Sequence, residues 1–172
     1  MNRRLVILTT HFGNNFSGGS RATCEVVNRL QHTFSEILVL GTELGQHDIR
    51  NLKFIETSTW LKAYQKVRQL RSKTTIFYGD FYNAFILAIL KVDYVFTYHD
   101  NWPELARLDS RHFLQCLFYH PSYKYIFRHA KRLVTVSQYK LDQVEMYNSK
   151  VSLISNGLND HQRNIELCDP HE

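Results

Sequence analysis

Three polar segments of this sequence carry side chains that could do chemistry, and each segment follows an apolar run. Residues 10–21 (THFGNNFSGGSR) follow Arg4–Thr9, Asp80 follows Thr75–Gly79, and His99-Asp100 follow Tyr94–Tyr98. Imidazole both donates and accepts hydrogen bonds and titrates near neutral pH. His99 could therefore orient a substrate hydroxyl or stabilise a developing charge.

The glycine pair Gly18-Gly19 predicts a place where a phosphate group could bind. Glycine lets the backbone approach a ligand closely, and a helix is expected to begin next, with Ser20 as its cap. The unpaired N–H groups and the dipole of that helix would face the loop. A plain connection of turn residues is the alternative. The fingerprints GxGxxG and GxxxxGK followed by Ser or Thr are absent, which argues against a nicotinamide enzyme and a P-loop nucleotidase.

The same polar residues also have structural interpretations. A single histidine is often structural, which applies to His99 and to His11. Asp80 is expected to cap a helix that begins at Phe81, and holding a substrate hydroxyl is the alternative. The nine histidines form no HxH, HxxxH or HExxH pattern, so no metal site is expected. The three cysteines are widely spaced, which favours a reducing cytoplasm over a disulfide framework.

The elements that must position these residues alternate along the chain. Several strand-like runs are apolar at successive positions, which is typical of strands buried on both faces of a parallel sheet. The pattern predicts an α/β fold: a Rossmann-like, doubly wound, mainly parallel sheet of about six to seven strands with helices on both faces. The predicted strands are Arg4–Thr9, Glu36–Gly41, Lys53–Glu56, Thr75–Gly79, Tyr94–Tyr98, Leu133–Val136 and Val151–Ile154.

Helical patterns fill the intervals between the strands. Three of them are read from apolar spacing: Ala22, Val26, Val27 and Leu30; Trp60, Leu61, Tyr64, Val67 and Leu70; and Leu141, Val144 and Tyr147 after a Ser137 cap. Residues 81–90 are apolar on nearly all sides. A further helix over residues 105–129 is expected to kink or restart at Pro121.

The length and composition fit one globular domain. The chain has 172 residues, 44% of them hydrophobic, and a net charge of +5 that favours acidic partners. No signal peptide and no membrane-spanning segment are expected. Periodicity ends near Asn156-Gly157, so residues 1–157 are predicted to form the domain, and residues 158–172 a polar tail or the start of a linker.

Two basic, aromatic stretches offer a surface for an anionic partner. They are Trp60–Arg71 and Arg111–Arg132. A helix that is apolar on one side and basic on the other can lie on an anionic membrane, but its apolar side can equally pack on the sheet. No nucleic-acid-binding motif accompanies the charge, so a nucleic acid is not expected as a partner.

Three segments taken in order resemble the N-terminal half of GT-B glycosyltransferases of the family 4 type. They are residues 16–30 with the glycine pair, Thr97–Asp100, and residues 133–159 with their Val-Ser and Asn-Gly elements. In that family two Rossmann-like domains face each other across a cleft. The N-terminal domain mainly binds the acceptor, and the C-terminal domain holds the nucleotide-sugar. The reaction retains the anomeric configuration and usually needs no metal or other cofactor.

The resemblance implies roles for particular residues. Gly18 and Gly19 would lie near the donor diphosphate, and His99 would sit beside the transferred sugar as the catalytic residue. The acceptor, a saccharide or a lipid-linked one, would be bound by loops that carry His11, Phe12, Asn14, Asn15, Arg21, Asp80, Asp100 and Trp102.

The family's C-terminal donor-binding domain has no counterpart in these 172 residues. We therefore expect this chain alone to be inactive and to work with that domain or with a partner subunit, in the cytoplasm or on the cytoplasmic face of a membrane. A non-catalytic binding or regulatory subunit that partners a glycosyltransferase is the alternative function. A small α/β enzyme that acts alone on a nucleotide is the third.

Overall fold

The computed structural model describes residues 3–99 and 113–154 of the chain. Its centre is a seven-stranded sheet in the order β5-β3-β1-β6-β7-β8-β9, and all pairings in it are parallel. The strands are β1 (Arg4–Leu8), β3 (Glu36–Gly41), β5 (Leu52–Glu56), β6 (Thr75–Gly79), β7 (Tyr94–Tyr98), β8 (Arg132–Thr135) and β9 (Val151–Leu153). Two short strands, β2 (His11–Phe12) and β4 (Glu43–Leu44), form a separate parallel pair above it.

Helices cover both faces of the sheet, because each strand sends alternate side chains to opposite sides. Leu5 and Ile7 of β1 join one core cluster, while Val6 and Leu8 join the other. The helices are α1 (Gly18–Leu30), α2 (Trp60–Leu70), α3 (Phe85–Ile89), α4 (Phe113–His129) and α5 (Gln138–Val144), with short 3-10 turns at Gln31–Thr33 and Tyr82–Ala84. The first cluster packs against α1 and the second against α2, α3, α4 and α5. The predicted doubly wound α/β sheet is confirmed.

All seven predicted strands of the main sheet are present, and their ends differ from the predicted ones by at most one residue. The short strands β2 and β4 were not predicted. Two residues cannot show a period, so their pairing follows from the tertiary packing of the two loops.

Several details of the helix predictions are corrected by the structure. Helix α1 is capped by Ser17, not Ser20, and Val26 and Leu30 are exposed. Residues 81–90 form a 3-10 turn followed by the five-residue α3. Asp80 does not cap this segment: the residue that precedes the turn is Phe81, and no side chain caps it. Of the kink or restart expected at Pro121, the restart is absent, because α4 continues through this residue as one helix. The expected start of that helix near residue 105 lies outside the described residues.

The strand order reverses direction at β1, which has β3 on one side and β6 on the other. The helix that connects β1 to β3 and the helix that connects β5 to β6 pack on opposite faces of the sheet, so a crevice opens beyond the carboxyl ends of the strands. The turn after β1, Asp80 after β6 and His99 after β7 all lie at this edge. Within the described ranges, no helix combines the length and the apolar composition that crossing a membrane requires.

Candidate functional site

A cavity of about 210 Å³ occupies the crevice at the carboxyl ends of β1, β6 and β7. It brings together three of the polar segments named above, although they are far apart in the sequence. It is lined by Thr9, Thr10, His11, Ser17, Gly19, Ser20, Asp80, Phe81 and His99.

The loop between β1 and α1 is fixed by hydrogen bonds to the first turn of the helix. Ser17 caps α1 by accepting a bond from the backbone N–H of Ser20, and the Ser20 hydroxyl donates to the carbonyl oxygen of His11 at 2.8 Å. Gly13 has a φ of +150°, a conformation that residues with a side chain rarely adopt, and this lets the loop turn back toward the helix. The uncapped N–H groups at the start of α1 are therefore held beside the cavity.

Gly19 and His99 lie against each other. A Cβ atom built on Gly19 would stand 3.2 Å from the Cβ of His99, which is tighter than an ordinary contact. The same construction at Gly18 meets no atom within 4 Å. Of these two glycines, Gly19 is therefore the one at which a larger residue would press on its neighbour.

His99 is half-buried with both ring nitrogens shielded from solvent, and its ring is electrically neutral near pH 7. Burial, aided by the positive charge of Lys140, lowers the pKa of His99 from 6.5 to about 4. Neither ring nitrogen has a hydrogen-bond partner among the described residues. A neutral imidazole offers one donor and one acceptor, so the ring can bind a hydroxyl-bearing ligand in either sense.

Lys140 holds the backbone of His99 in place. Only 6% of Lys140 is exposed, and its ammonium group donates a hydrogen bond to the carbonyl oxygen of His99. The same nitrogen lies 5.0 Å from the centre of the Tyr98 ring, a cation–π arrangement. A helix from the far end of the described chain, α5, thus positions the end of β7.

Asp80 is anchored beneath the cavity by a neighbouring hydroxyl. The Thr23 hydroxyl donates to the carboxylate of Asp80 at 2.8 Å, and it lies 3.3 Å from the Tyr78 hydroxyl. Burial and the charge of Asp80 both raise the pKa of Tyr78. The phenol therefore stays protonated beside a fixed carboxylate.

The predicted site residues are placed at different depths. His11, Gly19, Asp80 and His99 line the cavity, whereas Gly18 is exposed beside it. Phe12 is fully buried in the core, so it shapes the loop from behind. Asp100 and Trp102 lie outside the described residues.

Asn14, Asn15 and Arg21 serve in contacts that hold the loop. The backbone N–H of Asn14 donates to the carbonyl of Gln46 at 2.8 Å, and the Asn15 side chain accepts from the N–H of Gln46 at 2.9 Å. Arg21 donates to the carbonyl of Asn14 at 3.2 Å. These residues join the β1 loop to the loop after β4 and to α1.

Sequence reasoning missed several residues of the site. Thr9 carries a usable signal, since it directly follows the buried strand β1 and precedes the polar segment that begins at Thr10, while Thr23 and Lys140 carry none because their roles depend on the packing of helices. No group of three or more His, Cys, Asp or Glu side chains that could hold a metal ion is found in residues 3–99 and 113–154. The arrangement offers a helix N-terminus for an anion and a neutral imidazole for hydroxyl groups.

Comparison with known proteins identifies the family. A search of curated proteins found no match to the chain. The model of one family, described as Glycosyltransferase Family 4, matches residues 18–162. That stretch contains the glycine pair at the start of α1, Asp80 and His99. Because the match covers most of the 172 residues, the chain belongs to Glycosyltransferase Family 4.

Proposed function

We propose that this chain is the N-terminal, acceptor-side domain of a nucleotide-sugar-dependent glycosyltransferase of the GT-B type. Family membership makes it a glycosyltransferase domain. The observation that supports the finer proposal is the direct contact between Gly19, at the start of α1, and His99, at the end of β7. A phosphate at the helix N-terminus and a sugar beside the imidazole would then be neighbours.

The donor diphosphate would bind at the N-terminus of α1. The first N–H groups of a helix have no partners within it, and the helix dipole favours negative charge there. Gly18 and Gly19 leave these groups uncovered, because neither carries a side chain. The nucleotide itself would rest on a C-terminal domain or on a partner subunit.

His99 would bind the transferred sugar in its neutral form. Because its pKa is about 4, the imidazole of His99 is uncharged at neutral pH. It can therefore donate to, or accept from, a sugar hydroxyl, and the polarised ring can stabilise the positive charge that develops on a sugar in the transition state. From the resemblance to the family, and not from the state of this ring, we propose that the reaction retains the anomeric configuration and uses no cofactor.

The acceptor would enter over the loops that carry His11, Asn14, Asn15, Arg21, Asp80, Asp100 and Trp102. His11 and Asp80 reach the cavity directly. Asp80 is held by Thr23, so its carboxylate could orient the attacking hydroxyl of the acceptor. Saccharides and lipid-linked saccharides both present such a hydroxyl.

We expect the chain by itself to transfer no sugar. Leaving-group charge on the diphosphate must be stabilised from both sides of a GT-B cleft, and this chain supplies one side. An immunoblot of the source cells with antibody against this chain would tell a single two-domain protein from a 20.4 kDa subunit with a separate partner. Either form supplies the enzyme for the next experiment.

The test is turnover by the enzyme that contains both halves, measured as nucleoside diphosphate release from a panel of nucleotide-sugars. His99→Ala is expected to lower kcat by about a hundredfold or more, the usual cost of losing a group that stabilises transition-state charge. His32→Ala, at an exposed histidine of the Gln31–Thr33 turn, is the matched control. Near-normal turnover by the His99 variant would refute the proposed role and favour a non-catalytic, partner-stabilising subunit.

A further inference from the structure

A second pocket adjoins the cavity that holds His99. The two share Thr9 and Thr10, so they form one continuous depression along the carboxyl edge of the sheet. The second pocket lies between the ends of β1, β3 and β5 and the start of α2. It is lined by Leu8, Thr9, Thr10, Thr42, Thr57, Ser58, Thr59, Trp60, Ala63, Tyr82, Asn83 and Ile86.

The hydroxyl groups of this pocket are divided between hydrogen-bond acceptors and donors. Thr42 donates to the carbonyl of Thr10 at 2.8 Å and Thr57 to that of Gly41 at 3.3 Å. Their oxygens therefore face a ligand as acceptors. Ser58 and Thr59 instead accept bonds from Lys62, at 3.3 Å each, which leaves their O–H groups able to donate.

A buried acceptor adds to this set. The side-chain oxygen of Asn83 is shielded from solvent and has no hydrogen-bond partner in the part of the chain that is described. A buried polar atom without a partner costs free energy, and a ligand hydroxyl that donates to it would remove that cost.

Trp60 forms an aromatic wall at the mouth of the pocket. Its ring lies 5.9 Å from that of Tyr82, 6.1 Å from Phe85 and 6.5 Å from Phe118, measured between centroids. These neighbours fix its orientation, yet 40% of the residue is exposed. A fixed, partly exposed indole is a surface on which the apolar face of a sugar ring can stack.

The lining contains no charged side chain. The acceptor oxygens of Thr42, Thr57 and Asn83 would repel a carboxylate or a phosphate, whereas a neutral polyol both donates and accepts. The ammonium group of Lys62 donates a hydrogen bond to the Ser58 hydroxyl at 3.3 Å, and Lys62 itself is not among the lining residues.

We propose that this pocket binds a neutral pyranose unit of the acceptor, stacked on Trp60, with its reacting hydroxyl directed over Thr9 and Thr10 toward His99. The inference rests on the proposed function, since it names the class of the acceptor for that same site. It adds a site that discriminates neutral sugars from anionic ones.

Binding can be measured on the 172-residue chain without any transfer reaction. The probes are methyl α-glucopyranoside, methyl α-mannopyranoside and methyl β-galactopyranoside, with methyl glucuronide and inorganic phosphate as the anionic comparisons. The readout is the indole N–H signal of Trp60 in a ¹⁵N-labelled sample, assigned from its loss in Trp60→Phe. At least one neutral glycoside is expected to shift this signal saturably, and the anions are not.

Three variants sharpen this test. Trp60→Ala is expected to weaken glycoside binding, followed by saturation-transfer NMR, by about tenfold, and Thr57→Val by a smaller factor. Tyr139→Ala, which removes another exposed aromatic ring, on α5, is the matched control and should bind as the wild type does. Circular dichroism verifies folding. No shift with any neutral glycoside, or equal binding of the anions, overturns the proposal.

Kinetics of the enzyme that contains both halves distinguish the proposed sugar pocket from the proposed glycosyltransferase function. Trp60→Ala should raise the KM for the acceptor about tenfold with little change in kcat, because stacking holds substrate and transition state alike. Transfer with an unchanged KM would leave the proposed function standing and remove the pocket. Glycoside binding at Trp60 without any transfer would keep the pocket and remove the proposed function.

Discussion

The two glycines at the start of α1 differ in what surrounds them. Gly18 faces open space, while Gly19 lies against His99. Alanine stabilises a helix relative to glycine by roughly 0.5–1 kcal/mol when the added methyl group is accommodated. Gly18→Ala should therefore be neutral or stabilising. Gly19→Ala gains the same stabilisation of the helix, but its methyl group must displace the His99 side chain.

We accordingly expect Gly19→Ala to be less stable than Gly18→Ala by about 1 kcal/mol or more, the usual cost of inserting a methyl group into a packed contact. Urea unfolding followed by circular dichroism measures the difference, and the His99 ring signals in NMR report whether the ring moves. Equal stability of the two variants, with an unmoved ring, would contradict the contact on which the site depends.

His99 also makes stability depend on pH in a definite direction. Its pKa is about 4 in the folded protein and 6.5 as the ordinary value, so between these values the unfolded chain binds the proton and the folded chain does not. The stability that the neutral ring contributes is complete above pH 6.5 and is lost as the pH falls toward 4. The loss is on the order of 2–3 kcal/mol.

Unfolding of wild-type protein and His99→Gln at pH 7 and pH 5 measures this contribution. The wild type should lose more stability than the variant over that interval. His32→Gln is the control, because this exposed histidine lies in the Gln31–Thr33 turn and not among the residues that line the cavity. A wild type and a His99 variant that respond to acid identically would show that the ring is not held neutral by its surroundings.

At the scale of elements, the strands could be predicted from the sequence and the helix faces could not. A strand buried on both sides is apolar without a break, as in residues 37–41, so its length and ends are local properties. The buried face of a helix depends on which neighbour it meets. The buried positions of α1 are Ser20, Thr23, Cys24 and Val27, and two of these are polar because they serve the site.

Adjacent valines in α1 test that face directly. Val27 is 3% exposed and packs in the core with Ile7 and Ile37, whereas Val26 is 50% exposed. Val27→Ala should lower the free energy of unfolding by about 1.5–2.5 kcal/mol, from two lost methyl groups and the space they leave. Val26→Ala should change it by no more than about 0.5 kcal/mol. Chemical denaturation of both variants measures the contrast, and a reversed order would mean that α1 is rotated on the sheet.

At the scale of the whole molecule, the order of the strands brings together site segments that are far apart in the sequence. The sequence predicted that the ends of β1, β6 and β7 carry polar residues, and the strand order makes those ends neighbours. Residues contributed by packing between distant elements, such as Lys140 on α5 and Thr23 on α1, could not be found in this way. Their roles follow from distances in the fold, which no local pattern contains.

A basic face beside an exposed apolar cluster is the other property that belongs to the molecule as a whole. Residues 57–79 contain five basic and no acidic side chains. On α2, Leu61, Lys62 and Arg68 are all exposed, and Phe118 of α4 lies exposed next to Trp60. We propose that this face rests on an anionic membrane on its cytoplasmic side, with the acceptor pocket opening at its border.

Charge reversal tests the membrane contact. The double substitution Lys62→Glu with Arg68→Glu should lower co-sedimentation with vesicles that contain anionic lipid at least about tenfold, because each basic residue near such a surface contributes about 1 kcal/mol. Raised salt should also weaken the binding of the wild-type protein to these vesicles.

The control is Arg132→Glu with Lys150→Glu, which changes the net charge equally at the opposite edge of the sheet. There β8 and β9 begin, and both residues are exposed. This control should bind vesicles more tightly than the α2 variant does, since a surface contact depends on where the charge lies and not on its sum. If both variants lost vesicle binding equally, the binding would depend on net charge alone, and α2 would not be the membrane-facing surface.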